Sequence, residues 1–486
     1  MRAPRKTPTR KIAPDIAARL SHRFSLQMQP DGNIAVFLGD YSVNLGQFSA
    51  AAMDRARHLG TGLPLASFAG KSILAREIDA LVHRLARKGL LEYRLSSSRN
   101  TQDFVIIEPQ VPDYWPRRAK LGKRDTVVLS RFAYLRRRGN EMVLESPRAG
   151  ALFRIGDPAI AATLAALSQP QKIGKLDQKM ASSTLHLLEL LLDCQILLKL
   201  DAKDGQGLRV NEGDGNLVLW DFHDLVFHTR STEGRQANPV GAAFTYASVV
   251  PPSPAVRPPW AGSRVDLRTF SSPAEPNSLL RKLLRERHST RDFDDKNPVT
   301  LGELAQFLDT TARVVSEWKS EPYFEGGSEV AYSARPYPSA GSAYELELYL
   351  TVANCDGLAR GLYHYDAGSH ALVAISASAQ QLQALSVAAQ FAMDAPGQPQ
   401  ILITIAARFG RVSWKYSSIA YSLILKNVGC LIQTFYLAAT DMGLGGCAIG
   451  TTNIDLFAKM TELELHIEGP VGQFALGRGK KPEVQR

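Results

Sequence analysis

Two arginines, one imidazole and two hydroxyls occupy five consecutive positions, Arg287-His288-Ser289-Thr290-Arg291, followed by Asp292 and the aromatic Phe293. That density suits a phosphate-bearing ligand. Guanidinium groups give paired, charge-assisted hydrogen bonds to phosphate oxygens, and hydroxyls satisfy the oxygens left over. A short basic run can equally be the solvated face of a helix, so the surrounding text has to decide.

Two other segments look like phosphate cradles and fail on context. The run from Ala66 to Gly70-Lys71-Ser72 ends as a P-loop does, but Leu65 stands where the first glycine belongs. Gly443-Leu444-Gly445-Gly446-Cys447-Ala448 fits a relaxed dinucleotide fingerprint. It follows a helical stretch instead of a strand, which removes the Rossmann reading.

The elements that must position these residues are mixed. Thr300-Leu301-Gly302-Glu303 is a capping box opening a helix. Residues 345–350 alternate as a strand, and 362–365 and 371–374 flank Asp366-Ala367-Gly368 as a hairpin. Residues 401–405 read as a buried strand and 474–477 as a closing strand. A long helix is expected from about Ser413 to Asp441, stopping at Gly443. Strands and helices without strict alternation indicate an α+β domain.

The Arg287–Phe293 run resembles the R-H-S-T-(R/K)-x-F signature near the start of flavin-dependent nitroreductase-fold enzymes. Three further segments follow in that family's order. Arg335-Pro336-Tyr337-Pro338-Ser339-Ala340-Gly341 is similar to its proline-serine loop, where small residues let the backbone approach a flat tricycle. Gly443 to Gly450 is similar to its second glycine loop, and Arg478 to the basic residue that reaches the ribityl phosphate. The resemblance therefore implies FMN held by Arg287, His288, Ser289, Arg291, Pro338, Ser339, Ala340, Gly341, Gly445, Gly446, Ile449, Gly450 and Arg478. No metal is implied.

Arg411 to Tyr421 narrows the resemblance to the SagB-type FMN dehydrogenases of thiazole- and oxazole-modified microbial peptides. In those enzymes a Lys-Tyr pair leading a long helix is catalytic, which implies catalysis by Lys415 and Tyr416 here. Azoline oxidation removes a proton from Cα and a hydride from the neighbouring ring carbon, so a base is required. A free tyrosine has a reference pKa of about 10, and an adjacent ammonium favours its phenolate. Tyr416 is then the base and Lys415 its activator, or the roles are exchanged. Where the best-known members read Glu-Ala-Gly-His, this chain reads Asn427-Val428-Gly429-Cys430, which leaves the substrate open. A general nitro or quinone reductase shares fold and cofactor, and a non-catalytic peptide-binding scaffold would require a dead flavin site. The resemblance further implies a homodimer, an azoline-containing precursor peptide and a cyclodehydratase partner.

Composition frames this reading. At 486 residues the chain exceeds one ordinary core, and 45% hydrophobic with 21% charged residues is globular. Four scattered cysteines without a CxxC pair, and no apolar h-region behind the basic N-terminus, point to a cytoplasmic protein. The apolar stretch Ile419 to Leu437 contains Lys426, Asn427 and Gln433, so no membrane span is expected.

A net charge of +10 attracts polyanions. Much of it sits in Arg5-Lys6 with Arg10-Lys11, and in Arg117 to Arg124 with Arg136-Arg137-Arg138. Residues 1–115 and 116–215 read as one winged-helix-like module used twice. Arg23-Phe24-Ser25-Leu26 and Arg131-Phe132-Ala133-Tyr134 open the copies. Lys88-Gly89-Leu90 and Cys194-Gln195-Ile196 lie near their ends. The last helix of the second copy, 185–193, is apolar and acidic, a poor groove reader, so peptide binding is expected over nucleic acid. Residues 216–262 form a Pro-rich connector with His223 and His228 in packing or capping roles, and 263–486 the flavin domain.

Overall fold

The computed structural model describes residues 16–480 apart from 23, 39–40, 69–70, 97–102, 178–181, 201–215, 233–246, 258, 260–262, 271–277 and 324. The N-terminal basic tail, Arg23, Gly70 and part of the Pro-rich connector lie outside the described residues. The chain divides into two compact units, essentially 1–230 and 238–486.

The first unit repeats one strand arrangement. Strand β1 (Ile16–Leu20) precedes the meander β2 (Ser25–Met28), β3 (Asn33–Leu38) and β4 (Tyr41–Gln47). Helix α1 (Ala50–Arg57), the short β5 (Leu63–Pro64), α2 (Ile73–Arg87), β6 (Leu91–Ser96) and β7 (Asp103–Pro109) follow. The second pass runs through β8 (Thr126–Leu129), β9 (Tyr134–Arg138), β10 (Glu141–Glu145) and β11 (Ala151–Ile155). It continues with α3 (Pro158–Ala166), β12 (Gln171–Lys172), α4 (Ile173–Asp177), α5 (Ser182–Asp193) and β13 (Leu197–Leu200). In each pass the first strand lies between the short strand and the strand after the last helix: β5-β1-β6 and β12-β8-β13. β7 then joins β6 to β11, so one seven-stranded sheet runs β5-β1-β6-β7-β11-β10-β9.

The two passes stop their last helix in the same way. Gly89 has φ of 66° and Leu90 N donates to Leu85 O. Gln195 has φ of 56° and Ile196 N donates to Leu191 O. A left-handed residue lets the chain leave the helix while capping its last carbonyls. Gln195 does so without glycine's freedom, at a cost of about 1–2 kcal/mol. Residues 217–230, expected in the connector, instead fold within this unit. Helix α6 (Phe222–Arg230) buries His228, which stacks on Trp220 at 5.8 Å. His223, on the same helix, lies 3.2 Å from Asp221, and no cluster of metal-ligating side chains occurs among the described residues.

The second unit is a six-stranded antiparallel sheet between helices, with strand order β18-β17-β16-β19-β21-β20. Its elements begin with α7 (Leu279–Glu286), α8 (Leu301–Ala312) and the separate hairpin β14 (Ser316–Ser320) and β15 (Val330–Ala334). Then come β16 (Leu346–Val352), β17 (Gly361–Asp366), β18 (Ala371–Ile375), α9 (Ala379–Met393) and β19 (Ile401–Arg408). The chain continues through α10 (Phe409–Ser413), α11 (Ala420–Asp441), β20 (Gly445–Ile449), α12 (Ile454–Thr461) and β21 (Glu468–Gly477). Phe435 of α11 packs on Phe307 of α8 at 5.2 Å and on Phe474 of β21 at 5.3 Å. α9 and α12 supply Leu385, Met393, Phe457 and Met460 to a cluster with Leu402 and Ala475. Helix α11 is long and apolar enough to cross a membrane, and here it packs along this sheet.

Two local expectations change. The single helix from Ser413 is broken, because Ser418 takes φ of 60° and α11 begins only at Ala420. Ser413, Ser417 and Ser418 offer hydroxyls that compete with helical backbone bonding, which favours a turn there. The second glycine loop is largely strand β20, paired with β21 from Gly445↔Gly477 to Ile449↔Gln473. All four cysteines are free thiols.

Candidate active site

The Arg287–Phe293 segment is fastened by its backbone and its small neighbours. Thr290 N donates to Gly446 O at 2.8 Å, Asp294 N to Arg478 O at 2.8 Å, and Phe293 bridges to Gly479. A Cβ on Gly445 would fall 2.6 Å from Thr290, and one on Gly477 would fall 2.4 Å from Phe293. These glycines serve close packing of the chain on itself. Gln400, buried, closes the same corner: its carbonyl oxygen accepts from Val299 N and Arg478 N, and its amide donates to Asp294 O.

Helix α11 ties this corner to β20. Tyr436 Oη meets Ser289 Oγ at 2.9 Å and accepts from Ala448 N at 2.8 Å, while the Arg287 guanidinium lies 5.1 Å over its ring. Arg287 and Arg291 have no carboxylate partner among the described residues, so both cations are free for an anion. Arg478 differs: its guanidinium donates to both oxygens of Glu303 at 2.6 and 2.8 Å. Glu303 is the capping-box residue, and its carboxyl is held below the usual range first by Thr300 N and then by Arg478. His288 is exposed, with Nδ1 2.9 Å from Glu286 O. The Ile449 side chain is buried in the core, and its backbone pairs with Gln473 of β21.

Nine residues N-terminal to Tyr436, α11 reaches the proline-serine loop through Asn427. Its Oδ1 accepts from Ala340 N at 3.1 Å, and its Nδ2 donates to Ser339 Oγ at 3.2 Å and Glu345 Oε1 at 2.9 Å. Ser339 Oγ in turn donates to Glu345 Oε2 and accepts from Tyr344 N. Glu345 is fully buried, and burial pushes its carboxyl up against the hydrogen bonds from Asn427 and Ser339. A carboxylate at position 427 would face this buried carboxyl. The amide of Asn427 avoids that repulsion and satisfies both sides.

Lys415 and Tyr416 lie in the turn between α10 and α11, where Lys415 N and Tyr416 N both donate to Val412 O. Their tips converge on the same loop. At Gly341, with φ of 58°, an added Cβ would fall 2.5 Å from Tyr416 Oη and 3.0 Å from Lys415 Nζ. Lys415 Nζ also stands 5.7 Å from the Tyr416 ring and 5.8 Å from the Tyr332 ring. Tyr332 shares a hydrogen bond of 2.5 Å with Tyr323, which raises its phenol, and the Lys415 charge opposes that rise. Arg411 fixes this side by donating to Ala343 O and Ala331 O.

The geometry gathers a pair of unneutralised arginines, a loop of small residues and an amine–phenol pair within one α+β unit. Residues 284–478 match the model of the nitroreductase family. The C-terminal unit is a nitroreductase-family domain. A second model, described as cyanobactin oxidase ThcOx, matches residues 127–237. The tandem of the two models bears out the resemblance to SagB-type dehydrogenases of nitroreductase fold.

Among curated proteins, MJ1384 of Methanocaldococcus jannaschii, named as a nitroreductase, is 29% identical over 173 residues, 35% of this chain and 78% of its own. A Ralstonia eutropha structure also named as a nitroreductase is 23% identical, covering 43% of this chain and 88% of that one, with a TM-score of 0.33. A chain of the Escherichia coli microcin synthetase McbBCD complex, solved with truncated pro-MccB17 bound, is 20% identical. It covers 55% of this chain and 97% of its own, with a TM-score of 0.39.

Within the nitroreductase-family domain, sequence reading located the Arg287–Arg291 run, the proline-serine loop and the Lys415–Tyr416 pair. It missed Tyr436, Glu345 and Gln400. Tyr436 lies in an otherwise apolar helix, and Glu345 and Gln400 each directly precede an apolar strand, which are the only sequence signals they carry.

Proposed function

We propose that the protein is an FMN-dependent dehydrogenase that oxidises azoline rings to azoles in a ribosomally made peptide. The convergence of Tyr416 Oη and Lys415 Nζ on Gly341 of the proline-serine loop carries this reading. Arg287 and Arg291 are cations available to a flavin phosphate, and no nucleotide-binding fold for the second half of FAD occurs among the described residues. FMN supplies a two-electron acceptor when bound. One of the pair, Tyr416 or Lys415, takes the Cα proton of the azoline, and the other holds it in place. Gly341, lacking a side chain, leaves room for both tips at the proline-serine loop. The protein is taken to act as a homodimer in the cytoplasm, beside a cyclodehydratase that makes the azoline.

The duplicated first unit is read as a pair of winged-helix-like peptide-binding modules. Strand β9 ends the seven-stranded sheet and carries Arg136-Arg137-Arg138. Arg136 pairs with Glu145 and Arg138 with Glu108, each at 2.6 Å, whereas Arg137 is exposed. An acidic leader adding a strand at this edge would meet that charge. Reversing Arg117, Arg118 and Arg137 to glutamate should raise KM for the full peptide and flatten its salt dependence.

The test of the activity is direct. Purified protein should be yellow and release FMN on denaturation, and it should convert a thiazoline peptide to the thiazole with a mass loss of two hydrogens. The likeness to MJ1384 favours a second reading, reduction of nitro compounds. Rapid nitro reduction with no azoline oxidation would establish that reading in place of the first.

A further inference from the structure

We infer that the β14–β15 hairpin and Trp414 form an aromatic shelf that receives a flat ring of the peptide beside Lys415 and Tyr416. Trp318 stacks on Tyr332 at 5.7 Å and 18° between planes. The Tyr332 and Tyr323 hydroxyls meet at 2.5 Å, and the Tyr323 ring lies 6.0 Å from Trp414. Trp318, Tyr323 and Trp414 nevertheless stay 45%, 57% and 53% exposed. Three large rings half open to water in one contact chain form a patch built to be covered. Each ring is already held by another, so little side-chain entropy remains to be lost when a ligand stacks.

The occupant follows from what the shelf touches. Lys415 Nζ sits between the Tyr332 and Tyr416 rings, so the shelf is continuous with the proposed reacting pair. Tyr332 also lines a cleft of about 710 Å³ whose walls alternate Arg335, Arg408 and Arg411 with Glu317, Glu347 and Glu468. Faces of electron-rich rings favour a flat heterocycle, and a wall of both charge signs favours an amide backbone over a polyanion. The shelf therefore takes a peptide segment carrying an azoline or azole, with its flanking residues entering the cleft at Tyr332. That the ring is an azole rests on the function proposed above.

The test uses full-length, flavin-loaded protein and a synthetic four-residue peptide with a central thiazole, beside the same peptide with alanine in its place. Calorimetric titration should show preference for the thiazole peptide. Trp318→Ala and Trp414→Ala should each weaken it by about two- to tenfold, the range expected for one aromatic pair. Flavin content and elution volume should stay unchanged, and Tyr323→Phe should keep the affinity because it keeps the ring. Equal affinity for both peptides, or an unaltered affinity in the double tryptophan variant, overturns the shelf. So does a change of oligomeric state with ring binding intact, which would assign the patch to contacts between copies. A protein that binds the thiazole peptide through these tryptophans yet oxidises no azoline keeps the shelf and loses the dehydrogenase reading. Turnover with an unchanged KM in the double variant does the reverse.

Discussion

Around Thr290 the nitroreductase-family domain is closed by backbone hydrogen bonds and by glycines with no room for a Cβ, whereas around Lys415 it is held by side chains on a turn. Thr290, Phe293 and Arg478 N are all bonded to neighbouring main chain or to Gln400. Lys415 is exposed, with Nζ near the Tyr332 and Tyr416 rings and the space over Gly341. A group that must grip one unchanging ligand profits from a rigid frame, because preorganised donors lose no entropy on binding. A group that must meet successive rings along a peptide profits from reach. The contrast also separates two kinds of arginine, since Arg478 is neutralised by Glu303 while Arg287 and Arg291 are not.

The largest effects should come from the open end. Lys415→Ala and Tyr416→Phe should cut azole formation by about 10²–10⁴, the usual loss for a general base, with flavin content unchanged. Loss of flavin in either variant would make that end part of the frame and erase the contrast. At the closed end, Arg287→Ala and Arg291→Ala should each weaken FMN about 10- to 100-fold by equilibrium dialysis, as charge-assisted bonds are removed. Arg478→Ala should change FMN affinity less than fivefold, because its guanidinium already belongs to Glu303. Equal losses at all three arginines would show that Arg478 leaves Glu303 for the phosphate.

Between the two ends stands Gly341. Gly341→Ala imposes a left-handed alanine, costing about 1–2 kcal/mol, and drives a Cβ against Tyr416. It should lower kcat about tenfold while KM for the peptide holds, measured by steady-state turnover. The smallest effect concerns pH. Burial raises the Glu345 carboxyl above its ordinary 4.5. A raised folded-state pKa contributes stability that is complete below 4.5 and is lost as pH rises through the folded value. Glu345→Gln carries no charge, so its Tm should gain on the natural protein between pH 4.5 and 8. The gain should widen as pH rises through the folded-state value, read as Tm by calorimetry. A constant difference across that range would show that Glu345 bears no burial cost.

Much of the frame was legible because it follows from local rules. The capping box at Thr300, the hairpin about Asp366-Ala367-Gly368 and the stop at Gly443 each need only a few neighbouring residues, and each stands as expected. The break before α11 was not legible from hydrophobic periodicity, which runs on through Trp414 and Tyr416. Only the three serines hinted at it. Glu303 shows a different limit. Its capping role is written in a four-residue pattern, but its grip on Arg478, 175 positions away, belongs to the folded sheet.

The chemistry available is written in residue types at short spacing: the arginine–hydroxyl run, the small-residue loop, the amine–phenol pair, and two similar N-terminal passes. Each is a matter of residue type at short spacing, and short spacing survives without a fold. Tertiary structure alone decided which groups remain free to act. Asn427 and Tyr436 on one helix join the loop to the arginine run, Glu303 removes Arg478 from the free cations, and Gly341 receives the tips of Lys415 and Tyr416. Those outcomes depend on distances across the sheet, which no local pattern encodes, because burial and partner choice are settled only when distant strands pack.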